Sequence, residues 1–469
     1  MAEQPASVPS AKQAGEDATY DYNRWWWTET SVWTERMLIA LEQGVRGGMW
    51  FSLIDKVCKD GNLHSAAAKV NANGGAPGVD HVTVEQFWSD LEANQAKLRA
   101  TLGDGSYQPQ AIRRTYIPKP GSNEQRPLGI PTVRDRVVQG AIRHVIEPIF
   151  EKEFAAHSYG FRPGRGCKDA LRRVDELLKQ GFVYVVDADL KSYFDTIPHD
   201  RLMDRLRERI ADGRVLGLIA SFLKAGIMDG LKEWEPEAGA PQGAVLSPLL
   251  SNIYLNPLDH QMTARGFAMV RYADDFVILC RSQIEADQAL AFVRQWCEAE
   301  GLTLHPTKTR IVDVRQDGFD FLGYHFATTS QGRLDRWPRT KSMQKLKDTL
   351  RAKTRRNAGK SLRMIIADVN QTLIGWFGYF QHSNRWTFRA VDRLVRRRLR
   401  SILLRRIGRD RHGDGLANQR WPNAYFQTRG YYSLQAAFAL AIQPPRGSDH
   451  QLESRMRETR PSGLEGGGI

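Results

Sequence analysis

Cysteine is nearly missing from this 469-residue chain. There are four, Cys58, Cys167, Cys280 and Cys297, and no two form a Cys-x-x-Cys pair. That excludes a disulfide-stapled scaffold and leaves a zinc ribbon without ligands. Long apolar runs are missing too. No stretch approaches the ~18 residues of a membrane helix, and no secretory apolar segment opens the chain, so the expectation is a cytoplasmic protein with no membrane partner. Internal repeats are also absent. What remains, 41% hydrophobic and 26% charged residues, is the composition of a folded globular protein. At roughly 150 residues per domain, the length predicts about three.

Acidic residues are scarce in one segment. From Arg333 to Arg411 there are 23 basic and five acidic residues, a local +18 in a chain whose net charge is +14. The rest of the chain therefore sums to −4. Such concentration fits a polyanion partner, nucleic acid, better than a solvated helical face.

Residues 1–20 carry Ala, Ser, Gln and Pro without periodicity and read as a disordered tail. Trp25, Trp26, Trp27, Trp33 and Trp50 follow on a predicted helical stretch, suited to core packing or to stacking on bases. From the turn-forming Asn73–Gly78 segment to about Tyr324, β-branched runs alternate with helical patterns. After Arg333 the pattern predicts long helices. Leu394, Val395, Leu399, Ile402, Leu403 and Ile407 fit one face of a helix with about 3.6 residues per turn, and arginines occupy the other faces. The stretch from Pro444 reads as a loose tail.

Val270 to Leu279 sets Asp274 and Asp275 between two β-prone runs, which predicts a hairpin with the acids at its tip. Upstream, Phe182 to Leu190 reads as a buried strand ending in Asp187 and Asp189. Carboxylates converging from a strand end and a hairpin form a site for hard cations such as Mg²⁺. Two such ions serve in-line phosphoryl displacement. A solvated turn would explain Asp-Asp alone.

Many ordered motifs stand beside it. Trp50 to Val57 with Asn62-Leu63, Asn73 to Asp80, Tyr116 to Lys119, Arg126 to Pro131 and His157 to Pro163 come first. Asp189 to Asp195, Pro241-Gln242-Gly243 with Leu246-Ser247-Pro248, Tyr272 to Asp275, Leu302 to Lys308, Phe321 to Gly323 and Gly375 to Phe380 complete the series. In this order they resemble the group II intron-encoded reverse transcriptases, or maturases, over most of the chain.

The resemblance implies a right-hand polymerase, α/β plus all-α, with a fingers-palm domain and a helical maturase thumb. Its divisions would be a tail to 20, an N-terminal extension and the start of the fingers over 21–110, fingers and palm over 111–328, and thumb over 329–411. A short appendage over 412–443 and a tail over 444–469 would follow. Asp189, Asp274 and Asp275, with the Leu190 carbonyl, would hold two Mg²⁺ ions; Asp187 would be structural. Lys119, Arg126, Phe194, Gln242, Gly243 and Lys308 would bind the nucleotide, Phe194 by denying space to a 2′-hydroxyl. Arg162 and Arg165, in a Gly-rich loop, and Arg393, Arg396, Arg397 and Arg400 would bind RNA.

Implied partners are group II intron RNA, an RNA template with a DNA primer, target DNA and dNTPs. The implied activity is RNA-directed DNA synthesis with help to splicing and retromobility. A domesticated polymerase of defence or repair, or a protein that is mainly a splicing maturase, are the alternatives. No cysteine follows Cys297, so the zinc-dependent nuclease of larger members is not expected. Trp421 to Phe426 resembles a short terminal block that would touch target DNA or pack on the thumb.

Overall fold

The computed structural model describes residues 22–45, 47–118, 125–230, 232–357, 359–409 and 415–442. Both expected tails, and Lys119, lie outside these residues. The described chain divides into two compact units, one holding residues up to 174 and 186–311, the other 175–185 and 312–442. Among the described residues, no helix is long and apolar enough to cross a membrane.

The first unit is built around one helix that is buried nearly all round. The Val133–Glu151 helix begins where the Thr132 hydroxyl accepts the Asp135 amide, an N-cap that satisfies an orphan donor. Val137, Val138, Ala141, Ile142, Val145 and Ile146 are inaccessible to solvent. The helix packs on Asp60–Asn73, where Gly140 lies so close to Ala66 that a Cβ would stand 3.2 Å from it. The N-terminal tryptophans divide. Trp25, Trp33 and Trp50 are buried and Trp26 is exposed. The predicted helix there is only a turn at Tyr22–Trp25 and a separate helix at Glu35–Gln43.

Two four-stranded sheets follow. β1 (Ile112–Pro118) pairs with β2 (Gln125–Ile130) and lies next to β4 (Ile227–Asp229) in the order β2-β1-β4-β5, β5 being Lys232–Trp234. The other sheet has the order β6-β7-β3-β8, with β3 at Tyr184–Asp189, β6 at Ala268–Tyr272, β7 at Asp275–Cys280 and β8 at Arg310–Asp313. The chain passes between the units within the Cys167–Lys179 helix, within β3 and within β8.

The second unit contains a three-stranded sheet, β9 (Phe319–Phe321), β10 (Tyr324–Thr328) and β11 (Leu334–Pro338), and three long helices at Thr340–Lys353, Leu362–Phe380 and Arg385–Arg406. The expected change to helices at Arg333 thus comes one strand early. The expected boundary at 328 also moves. Tyr324 of β10 donates to the Tyr379 carbonyl and packs 5.0 Å from the Phe380 ring, so the sheet belongs with the helices. Trp421, Phe426, Tyr431 and Leu434 join the same core as Val391, Val395 and Leu399. The segment expected as an appendage is part of this unit.

Candidate active site

The predicted β6–β7 hairpin forms, but only one of the two acids expected at its tip lies there. Tyr272 pairs with Asp275, leaving Ala273 and Asp274 as the two-residue tip. Ala273 sits at φ +59°, a left-handed conformation uncommon for a residue with a Cβ. Arg271 holds it there. This guanidinium is wholly buried, donates to the Ala273 carbonyl at 2.9 Å and to Asn252 Oδ1 at 2.9 Å, and grips Asp259 through two bonds of 2.8 and 2.5 Å. Burial alone would discharge it, but Asp259 outweighs burial and raises its pKa. Gly160 braces the tip from outside. A Cβ there would collide with the Ala273 amide, and the Gly160 carbonyl accepts from Asn252 Nδ2 at 2.8 Å.

The tip presents Asp274 toward β3. Burial raises the Asp274 carboxyl above the usual range; its own backbone hydrogen bond lowers it, the negative charge of Asp189 raises it further, and Arg126 and Arg271 pull it back. Asp189, Asp274 and Arg126 are therefore within electrostatic reach of one another. Asp275 opens the neighbouring strand β7. Asp189 ends β3, where its carbonyl accepts from the His305 amide at 2.7 Å and its carboxylate takes the Lys308 ammonium at 2.7 Å. Leu190 forms a bridge with Leu304. Asp187, two residues earlier on the strand, lies 3.8 Å from Arg310. Among the described residues, no three His, Cys, Asp or Glu side chains form a ready metal-binding group.

Phe194 follows on a short helix, Tyr193–Thr196. Of the two adjacent aromatics, Tyr193 takes the core position, its hydroxyl donating to the Ser251 carbonyl at 2.8 Å; Phe194 stays half-buried against its edge. The Phe194 carbonyl accepts from the Ala240 amide at 2.7 Å. Beyond Ala240, the Gln242 carbonyl accepts from the Gly129 amide of β2 at 2.7 Å, and Gly243, at φ +106°, lies where a Cβ would strike the Gly129 carbonyl. These backbone bonds tie the Gln242–Gly243 loop to the sheet that carries Arg126.

Two of the expected RNA contacts are corrected. Arg162 is buried, gripping Glu151 and donating to the Ala155 and Ser158 carbonyls at 2.6 and 2.7 Å, so it fastens its loop and offers nothing outward. Arg400, 6% exposed, donates to the Trp421 carbonyl and Asn423 Oδ1, both at 2.9 Å. Arg396 lies 3.5 Å from buried Asp392, whereas Arg393 and Arg397 are exposed. Arg165 is half-buried, donating to the Ala156 carbonyl at 2.5 Å.

Arg271 escaped the motif-based reading. Its signal was present, because a charge inside the apolar run Met269-Val270-Arg271 needs a buried partner, and Asp259 stands one helix upstream.

Comparison with known proteins places the chain in a family. The model of reverse transcriptase (RNA-dependent DNA polymerase) matches residues 117–326, and that of the group II intron maturase-specific domain matches 343–421. Protein YkfC of Escherichia coli (strain K12) is 39% identical over 53% of this chain and 75% of its own length. The chain belongs to the group II intron reverse transcriptase and maturase family. The intron-encoded protein LtrA of Lactococcus lactis subsp. cremoris is 43% identical over 42% of the chain, which spans about a third (32%) of LtrA. A 91 kDa protein in the cob intron of Schizosaccharomyces pombe is 32% identical over 45% of the chain and 33% of its own length. The maturase-specific match of this family member ends at Trp421, inside the helical core that includes that residue.

Proposed function

We propose that this protein is an RNA-directed DNA polymerase that also binds group II intron RNA and assists its splicing. The observation that carries the proposal is the convergence of Asp189, Asp274 and Arg126, in a chain whose helical unit is strongly basic. The donor set is all oxygen, and one of its carboxyls is raised by burial and by a neighbour's charge, which fits a hard divalent cation such as Mg²⁺. Asp189, Asp274 and Asp275, with the Leu190 carbonyl, would hold two such ions. When bound, they supply charge stabilisation to the attacking and leaving oxygens of a phosphoryl transfer.

The rest falls to side chains and backbone. Arg126, exposed on β2, would meet the incoming triphosphate as a planar fork, with Lys119 as a point charge. Lys308 is exposed on a flexible stem, so its ammonium can turn from Asp189 to a nucleotide phosphate. The Phe194 ring beneath the sugar would leave no room for a 2′-hydroxyl. The Gln242–Gly243 loop would support the template base pair. A primer 3′-hydroxyl then attacks the α-phosphate of a dNTP, and pyrophosphate departs. Intron RNA would be stabilised in its folded form by binding, which shifts its folding equilibrium without the palm carboxylates. Target DNA would be met during retromobility.

Asp274→Asn with Asp275→Asn should therefore abolish cDNA synthesis and leave assisted splicing of the cognate intron largely intact. Neutralising Arg393 and Arg397 should impair both. Primer extension run beside a splicing assay in low Mg²⁺ tests this. Loss of splicing in the palm double variant, with normal folding and RNA affinity, would refute the separation. If no intron flanks the gene and the wild type aids no splicing, a domesticated polymerase replaces the maturase.

A further inference from the structure

The Arg385–Arg406 helix carries an exposed stripe that the polymerase chemistry leaves unused. Trp386, on its first turn, is 57% exposed, although Phe377, Phe388 and Trp421 of the same unit are buried. The Arg385 and Arg389 guanidinium carbons stand 4.8 and 5.7 Å from the centre of the Trp386 ring. Helical spacing of three, seven and eleven residues puts Arg389, Arg393 and Arg397 on the same face as Trp386. All three are exposed.

No acid on the helix offsets this stripe. Its single acidic residue, Asp392, is fully buried and accepts bonds from the Tyr431 and Ser433 hydroxyls and the Leu434 and Gln435 amides. Several other arginines of the helix are engaged within the unit. Arg398 donates to Thr354 and to the Arg351 carbonyl, Arg400 to the Trp421 carbonyl and Arg406 to the Lys360 carbonyl. Arg389, Arg393 and Arg397 are the exposed arginines that line up with the tryptophan; Arg405, also exposed, lies near the end of the helix on another face.

An exposed ring suits either a protein surface or a nucleobase, and the uniform positive charge around it selects the polyanion. Within a duplex, bases already stack on one another, so a ring on a helix surface meets only an unpaired base. The helix lies inside the segment matched by the maturase-specific domain, which makes RNA the occupant. We propose that Trp386 is a stacking site for an unpaired base of single-stranded RNA, with Arg389, Arg393 and Arg397 holding the flanking phosphates. This rests on the RNA-binding role proposed above and assigns it a single-strand specificity.

The test uses the full chain and three fluorescent probes of equal length: single-stranded oligoadenylate RNA, blunt duplex RNA and single-stranded oligodeoxyadenylate. Trp386→Ala should weaken oligoadenylate RNA binding about tenfold. Its affinity for duplex RNA should change less than about twofold, and Trp386→Phe should recover most of the loss. Arg393→Gln with Arg397→Gln should shallow the salt dependence by up to about one unit per phosphate contact. Unchanged oligoadenylate binding in Trp386→Ala would overturn the site and favour a protein partner. Equal losses on single-stranded and duplex RNA would also overturn it. A loss confined to the DNA probe would overturn the choice of RNA. Wild-type primer extension on an RNA template is run in parallel: its failure counts against the polymerase proposal, whereas extension with intact Trp386→Ala binding counts against the stacking site alone.

Discussion

At the scale of single residues, the two adjacent aromatics of the Tyr193–Thr196 turn show how one position becomes available for function. Tyr193 fills the core and donates to the Ser251 carbonyl, so Phe194, five residues after Asp189, is left half-buried. Phe194→Val should therefore change selectivity with little effect on folding. Its discrimination against ribonucleotides should fall on the order of tenfold or more in competitive primer extension, as expected for reshaping an apolar pocket. Unaltered discrimination would make Phe194 a packing residue. The charged positions were less legible. Arg162 and Arg400 read as surface charge in sequence because their partners, Glu151 and the Trp421 carbonyl, are brought to them only by tertiary folding. A basic residue in a basic segment gives no sign of which way it turns.

At the scale of elements, the β6–β7 hairpin and the amphipathic thumb helix were legible because each has a local signature, alternation in one and helical spacing in the other. The β9–β11 sheet was not. Its strands have three, five and five residues, and its place with the helices depends on Tyr324 reaching Tyr379, 55 positions away. The hairpin also depends on a distant element, the loop carrying Gly160. Gly160→Ala should push the Ala273 amide and displace Asp274, and a shift near 1 Å at a reacting group costs on the order of 100-fold in rate. Primer extension should fall by about that factor while the melting temperature moves little. Gly103→Ala is the control, because no atom lies within 4 Å of the added Cβ. Full activity in Gly160→Ala would show that the tip tolerates movement.

At the scale of the whole molecule, stability should depend on pH through a network between helices of the first unit. Asn62 donates to the Lys56 and Ala141 carbonyls, leaving its Oδ1 to accept, at 2.8 Å, from His144 Nδ1. His144 Nε2 then accepts from the Lys69 ammonium at 2.9 Å. Burial, and after it the Lys69 charge, lowers His144 to about 4 from its ordinary 6.5. The folded protein thus holds a neutral imidazole that the unfolded chain would protonate. Its contribution is complete above pH 6.5 and is lost as pH falls toward 4, a total of roughly 3 kcal/mol. Denaturant unfolding at pH 7 and pH 4.5 should show a larger acid loss for the wild type than for His144→Gln; equal losses would refute the assignment. A different consequence follows from the backbone contact between Gly129 and Gly243. Two glycines meet there with no room for a Cβ, so point mutation has no side chain to vary on that wall of the proposed nucleotide site. Under the proposed function, change in substrate preference is channelled instead to Phe194, and related chains that shift their nucleotide choice should record the change there.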